Sequence, residues 1–167
     1  MGIDIHPLRP DEVTAAGEAT AAAYREFVPP DDPGGWEDYL VRVADVGARA
    51  ERALVVVAEE DGKILGTVTV ELEDRIVGGH PREPLAPGEA HVRMLGVTPD
   101  ARRRGVARML MDACIDAARR AGKRRITLGT TERMDGARRL YEAMGFRRGP
   151  DQVFDDGFRL LTYELAL

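Results

Sequence analysis

The residues with most chemical promise sit on one short strand and in the turn that follows it. Thr98-Pro99-Asp100-Ala101-Arg102-Arg103-Arg104-Gly105-Val106-Ala107 reads as a tight turn between an extended run, Ala90 to Val97, and a long helical run beginning at Arg104. Free N–H groups and the positive dipole end at such a helix mouth attract anions. Gly105 and Ala107 leave the backbone uncovered, so a phosphate can approach it. Arg102, Arg103 and Arg104 would oppose the dipole in an unliganded protein, and their placement makes sense with an anion between them. On the preceding strand Ala90, Val92 and Met94 share one face, while Glu89, His91 and Arg93 share the other. An imidazole, with its ordinary pKa near 6.5, suits proton shuttling directly or through one water. A lone histidine is otherwise an ordinary partner on a sheet surface.

Composition limits the functions open to these residues. The chain has 167 residues with 24 Lys plus Arg against 29 Asp plus Glu, a net charge of -5. That balance disfavours a general polyanion binder, so a nucleic-acid partner is not expected. Hydrophobic content of 44% and charged content of 32% describe an ordinary folded protein, neither disordered nor membrane-bound. No apolar run approaches about 20 residues, and Met1-Gly2-Ile3-Asp4 lacks the basic and apolar regions of a secretion signal. A cytoplasmic address is the expectation. Cys114 is the single cysteine and falls on a helical stripe with Val106, Met109, Leu110, Ala113, Ala117, Ala118 and Ala121, which reads as core. His6, His80 and His91 show no ligand spacing, so no metal site is expected.

The elements that must position the turn follow from periodicity and punctuation. Ile3 to His6 alternates as a first strand ended by Pro7; Pro10-Asp11-Glu12 opens a helix running to Phe27. The Pro- and Gly-rich stretch 28–35 is a loop, and 36–50 fits a second helix with Trp36, Tyr39, Leu40, Val43 and Val46 on its apolar stripe. Residues 53–59 and 64–72 form a hairpin about Asp61-Gly62. The stretch 73–88, with three prolines and three glycines, is a loop long enough to suggest function. The strand 89–97 contains Gly96, which marks a bulge or a close approach by another backbone. A helix from Arg104 ends at Gly122, a strand spans 125–131, a helix at about 135–144 turns Ala137, Leu140, Tyr141 and Met144 inward, and a last strand covers 158–165. The order β-α-α-β-β-β-α-β-α-β makes a single α/β domain, 1–167, with a mixed, mainly antiparallel central sheet flanked by helices.

Arg102-x-x-Gly105-x-Ala107, preceded by Met94-Leu95-Gly96-Val97-Thr98-Pro99, resembles the (Arg/Gln)-x-x-Gly-x-(Gly/Ala) acetyl-CoA signature of the GNAT N-acetyltransferases. Leu140-Tyr141-Glu142-Ala143-Met144-Gly145-Phe146 resembles the Leu-Tyr-Glu-x-x-Gly-Phe run that closes many such domains. The resemblance in element order covers nearly the whole chain; the specific motifs occupy only its centre and the Tyr141 helix.

The resemblance implies acetyl-CoA as cosubstrate, with no metal, and an acetyl group moved to a primary amine of a small molecule or peptide by direct attack. It implies that Arg102, Arg103, Arg104, Gly105, Val106, Ala107 and Arg108 hold the pyrophosphate. Pantetheine would pair with the amides of Leu95, Gly96 and Val97 where the strand splays. His91 stands where several members carry a Glu or His base, and Tyr141 where many carry the tyrosine that protonates the departing thiolate. Two departures are visible. Met134 stands where some members carry a cofactor-binding Asn, and Gly129 where members acting on protein N-termini often carry a Glu base. Asp31, Asp32, Glu37 and Asp38 with Trp36 and Tyr39 would suit a cationic acceptor. A homodimer is allowed by the sequence and not required by it. The other reading of the same fold is a catalytically idle acetyl-CoA-binding sensor or subunit.

Overall fold

The computed structural model describes residues 2–28, 35–75, 83–155 and 157–167. Its strands and helices run β1 (Asp4–Pro7), α1 (Val13–Arg25), α2 (Gly35–Ala44), α3 (Val46–Ala50), β2 (Leu54–Glu60), β3 (Lys63–Glu71), β4 (Asp74–Arg75), β5 (Glu83–Pro84), β6 (Glu89–Val97), α4 (Val106–Arg120), β7 (Arg125–Thr130), α5 (Asp135–Ala143), β8 (Arg147–Arg148), β9 (Gln152–Val153) and β10 (Arg159–Ala166). Two compact units divide the chain. One comprises Met1–Val70 and Met94–Cys114, the other Glu71–Arg93 and Ile115–Leu167.

In the first unit β1 and β2 pair antiparallel, as do β2 and β3 about Asp61-Gly62. Both turn residues have positive φ, 52° and 81°, the conformation that two-residue hairpins of this twist require. The strand order is β1-β2-β3-β6. The core gathers Ala16 and Ala19 of α1, Val46 of α3, Val57 of β2 and Ile64 of β3, with Leu8 and Val13 packed against it. Each large aliphatic buried this way contributes about 1.5–3 kcal/mol. Small residues let α1 and α2 approach closely: a Cβ on Gly17 would lie 2.3 Å from the Ala44 carbonyl oxygen.

In the second unit β6 pairs parallel with β7, and β7 pairs antiparallel with β10, which also carries β8 and β9. Ile126 and Leu128 on β7 and Leu161 and Tyr163 on β10 are buried. Gly122 and Gly145 end α4 and α5 with φ of 73° and 92°, the left-handed caps expected of them.

Several sequence expectations are corrected in detail. The helix over 36–50 is two, because Asp45 leaves helical geometry at ψ 63° and caps α3 by accepting the Ala48 N–H at 3.1 Å. The loop 73–88 contains a two-stranded pair, Asp74↔Pro84 and Arg75↔Glu83; its tip, with His80, lies outside the described residues, as do Asp31 and Asp32. α4 begins at Val106 rather than Arg104, since Arg103 and Gly105 are left-handed, with φ of 63° and 80°. On that helix Met111 is buried and Met109 exposed, the reverse of the expected stripe. Short strands β8 and β9 are additions that their two-residue length hides from any periodicity.

Candidate active site

In the first unit the arginine turn is built from a single turn of 3-10 helix at Pro99–Ala101, an extended Arg102, a left-handed Arg103 and a left-handed Gly105 that feeds α4. Gly105 suits this place because its φ of 80° is costly for other residues, not for want of room, since a Cβ there would meet nothing within 4 Å. Val106 is buried and anchors the helix mouth, while Ala107 is half-buried and Arg108 exposed.

The arginines are not equivalent. Arg102 is tied to the end of α1: it pairs with Glu26, donates to the Ala23 carbonyl at 3.3 Å and to the Val97 carbonyl at 3.4 Å, and lies over the Phe27 ring. Arg104 grips Glu60 with two contacts of 2.8 Å. Lys63 pairs with Asp100, which holds the Asp100 carboxyl below its ordinary pKa. Among the described residues Arg103 and Arg108 make no ion pair, and both are exposed. Two of the three consecutive arginines therefore have acidic partners within the protein.

Just before the turn, Met94 has a φ of 54°, a strained conformation worth about 1–3 kcal/mol for a residue with a side chain. The irregularity expected at Gly96 thus sits two residues earlier. Gly96 instead permits close packing, because a Cβ there would come within 2.8 Å of Ala23 Cβ and 3.3 Å of the Tyr24 ring. Gly66 on β3 is matched to it, since its Cβ would lie 2.7 Å from the Gly96 carbonyl oxygen. Closing this packing, the Tyr24 hydroxyl donates to the Leu95 carbonyl at 3.0 Å.

In the second unit His91 lies on β6 beside Thr127 of β7, their Cα atoms paired in the parallel register. The face read from sequence as outward is covered, with His91 and Glu89 both buried. The His91 Nδ1 is 2.8 Å from the Thr127 hydroxyl oxygen, and that hydroxyl donates to Glu89 Oε1 at 2.6 Å. A hydroxyl has one proton to give. With it committed to the carboxylate, Thr127 can only accept from His91, so Nδ1 carries a proton. Glu89 is held in turn by the Ala86 N–H at 3.2 Å and Arg125 at 3.3 Å. Arg93, on the same face, is 3.3 Å from the fully buried Glu71 carboxylate.

Tyr141 is buried on α5, its ring 5.8 Å from Phe146 and 6.0 Å from Tyr163. The Tyr163 hydroxyl donates to Glu142 Oε1 at 3.1 Å; burial first, then this bond, raises its pKa. Met134, in place of an Asn, precedes α5 and accepts a weak contact of 3.5 Å from the Thr130 hydroxyl. Around the acceptor residues, Trp36 and Tyr39 stack edge to face at 4.9 Å, and Arg42 lies over the Tyr39 ring; Glu37 and Asp38 are exposed. Thr127 escaped the sequence reading. Its signal was the alternation Arg125, Thr127, Gly129 against buried Ile126 and Leu128, which aligns a polar face of β7 with that of β6 once their register is known.

The chain belongs to the acetyltransferase (GNAT) family, whose model matches residues 20–146. It is 36% identical over 81 residues to the mycothiol acetyltransferase of Geodermatophilus obscurus, a match spanning 45% of this chain and 26% of that one. It is 35% identical over 92 residues to the Probable N-acetyltransferase camello of Xenopus laevis, covering 55% and 37%. The matches thus span about a quarter to a third of these curated relatives. In fold it is similar to yncA of Salmonella typhimurium, solved with its cofactor acetyl-CoA, at a TM-score of 0.69 and 21% identity over 99% of this chain and 94% of that one.

Proposed function

We propose that the protein is an acetyl-CoA-dependent N-acetyltransferase, working as a single domain over 1–167 and moving an acetyl group to a primary amine of a small molecule or peptide. Family membership supports the acetyl donor. The observation that carries the mechanism is the Glu89–Thr127–His91 chain, with contacts of 2.6 and 2.8 Å, which leaves His91 Nε2 as the basic nitrogen.

An alkyl ammonium has a pKa near 10.4, so its proton must be taken up for the nitrogen to attack. His91 Nε2 accepts that proton, directly or through one water, and the imidazolium that forms is stabilised through Thr127 by the Glu89 carboxylate. The neutral amine nitrogen bonds to the thioester carbon, whose oxygen takes up the negative charge. As that oxyanion collapses the carbon–sulfur bond breaks, and Tyr141 gives its hydroxyl proton to the departing thiolate. The second proton of the nitrogen passes to solvent, and solvent reprotonates Tyr141. The products are an amide and free coenzyme A. The turn amides, with Arg103 and Arg108, hold the pyrophosphate, and the amides of Leu95 to Val97 hold the pantetheine arm. Arg102 and Arg104 keep the turn in shape through Glu26 and Glu60. The reaction asks for no metal.

Residues 36–39 supply aromatic and acidic groups for a cationic acceptor, and a cytoplasmic address goes with this reading. Among the described residues no helix is long and apolar enough to cross a membrane.

A thiol-release assay with acetyl-CoA and a panel of polyamines, aminoglycosides, amino acids and peptides tests the proposal. Tyr141→Phe is expected to lose roughly 100-fold in kcat while binding coenzyme A as the wild type does. Unchanged turnover would remove Tyr141 from the mechanism. Saturable acetyl-CoA binding without thiol release from any acceptor would mark an idle sensor instead.

A further inference from the structure

Four side chains of the first unit, none of them given a role in the acetyl-transfer reading, converge at its β1 edge. Asp4 and His6 stand two apart on β1 and so face the same way, and the antiparallel register sets Asp4 opposite Glu59 of β2. One ligand atom from each of these three lies within 4.8 Å of the others. The chain then turns through Pro10–Glu12, which brings Glu12 Oε1 to 3.4 Å from His6 Nε2; Asp4 Oδ2 is 3.9 Å from the same nitrogen.

The state of His6 is the telling observation. Its side chain is nine-tenths buried, and its Nε2 is a buried nitrogen with no hydrogen-bond partner. Its Nδ1 lies 2.9 Å from the Pro7 carbonyl oxygen. A carbonyl can only accept, so Nδ1 carries the proton and Nε2 presents a lone pair. In the neutral ring that lone pair faces the carboxylates of Asp4 and Glu12, with Arg9 reaching both of them. Metal-binding histidines donate their other ring N–H to a backbone carbonyl in this manner, which fixes the tautomer and the ring.

We propose that Asp4, His6 and Glu59, with Glu12 beside them, form a binding site for a divalent transition-metal ion of the zinc type. One imidazole nitrogen with carboxylate oxygens is a donor set that zinc accepts. Its bonds of about 2.0–2.2 Å in a tetrahedron put neighbouring ligand atoms about 3.3 Å apart. The 3.4 Å contact already meets this, and Asp4, mostly exposed, is free to swing inward from 3.9 Å. Two groups compete with the ion. Arg9 lies 3.8 Å from Asp4 Oδ2 and 3.4 Å from Glu12 Oε1, and the Gly62 N–H occupies Glu59 Oε1. The role is structural: the ion clips the edge strand β1 to β2 and to the approach to α1, and it stabilises the folded chain by binding it in preference to the unfolded one.

The test uses the chelator-treated full chain titrated with zinc chloride by calorimetry, alongside thermal melts. One saturable site is expected, weakened at least tenfold by His6→Ala and by Glu59→Gln, and tightened by Arg9→Ala. Zinc at a hundredfold excess over its Kd should raise the Tm by roughly 5–10 °C in the wild type and not in His6→Ala. Asp4→Asn, at an exposed position, gives the same reading should His6→Ala fail to fold. Acetyl-CoA turnover should be unchanged in Asp4→Asn, which keeps this site's fate separate from that of the acetyl-transfer reading. Absence of saturable binding, or equal zinc affinity in the wild type and in both Asp4→Asn and Glu59→Gln, would overturn the proposal.

Discussion

The arginine turn of the first unit and the histidine strand of the second present opposite kinds of organisation. At the turn, conformation is set locally. Arg103 and Gly105 carry the left-handed backbone, and the conspicuous charges of Arg102 and Arg104 are neutralised by Glu26 and Glu60. On the strand the backbone from Glu89 to Val92 is regular, and the hydroxyl that His91 Nδ1 meets comes from another strand, through Thr127. Charge density therefore marks the proposed anion-binding turn in sequence but does not say which of its arginines are already paired. A residue with no local signal can decide a tautomer.

Substitutions can sharpen or break this contrast. The largest effect is expected for His91→Ala, which should lower kcat/KM by roughly 10²–10⁴ while leaving the Kd for acetyl-CoA near the wild-type value. An equal loss in binding would mean that His91 serves the cofactor rather than the proton. Next comes Gly96→Ala, where the new methyl meets Ala23 Cβ at 2.8 Å. Overpacking of this kind costs about 1–3 kcal/mol, read as a lower urea midpoint. An unchanged midpoint with a raised KM for acetyl-CoA would return Gly96 to the role of a cofactor approach.

Thr127→Val keeps the shape of its residue and removes the link from His91 to Glu89. A loss of about tenfold in kcat, close to 1.4 kcal/mol, is expected, with the pH-rate profile displaced and with Thr127→Ser restoring most of it. A parallel fall without any change in profile would make Thr127 a packing residue. The smallest effect belongs to Asp100→Asn. A carboxyl whose folded pKa is depressed contributes stability above its ordinary pKa, and that contribution is lost as pH falls through the lowered value. The variant should therefore lose slightly less Tm than the wild type between neutral and strongly acid pH. Because the pair is fully exposed, identical acid limbs would show Lys63 and Asp100 to be screened out altogether.

What could be read from sequence divides along the same line. Elements bounded by strong punctuation came through: the Asp61-Gly62 hairpin, the β6 strand, the caps at Gly122 and Gly145, and with them the family signature. Elements set by one particular side-chain bond or backbone dihedral did not. Asp45 breaks a helix because its side chain finds the Ala48 N–H, a choice that helical periodicity does not register. The start of α4 moved from Arg104 to Val106 because two left-handed residues precede it. Of the candidate site, His91, Tyr141 and the turn were legible as residue types, whereas Thr127, Tyr24 and Gly66 were not. Their roles exist only once register places them beside His91, Leu95 and Gly96.

The most direct measurement is steady-state thiol release from acetyl-CoA across the amine panel, with mass spectrometry of the acceptor, in the wild type and His91→Ala. Acetylated amine and free coenzyme A are expected in equal amounts from the wild type, and a rate at least a hundredfold lower from the variant. Coenzyme A binding with no acetylated product from any amine, or equal rates in the two proteins, would contradict acetyl transfer through His91.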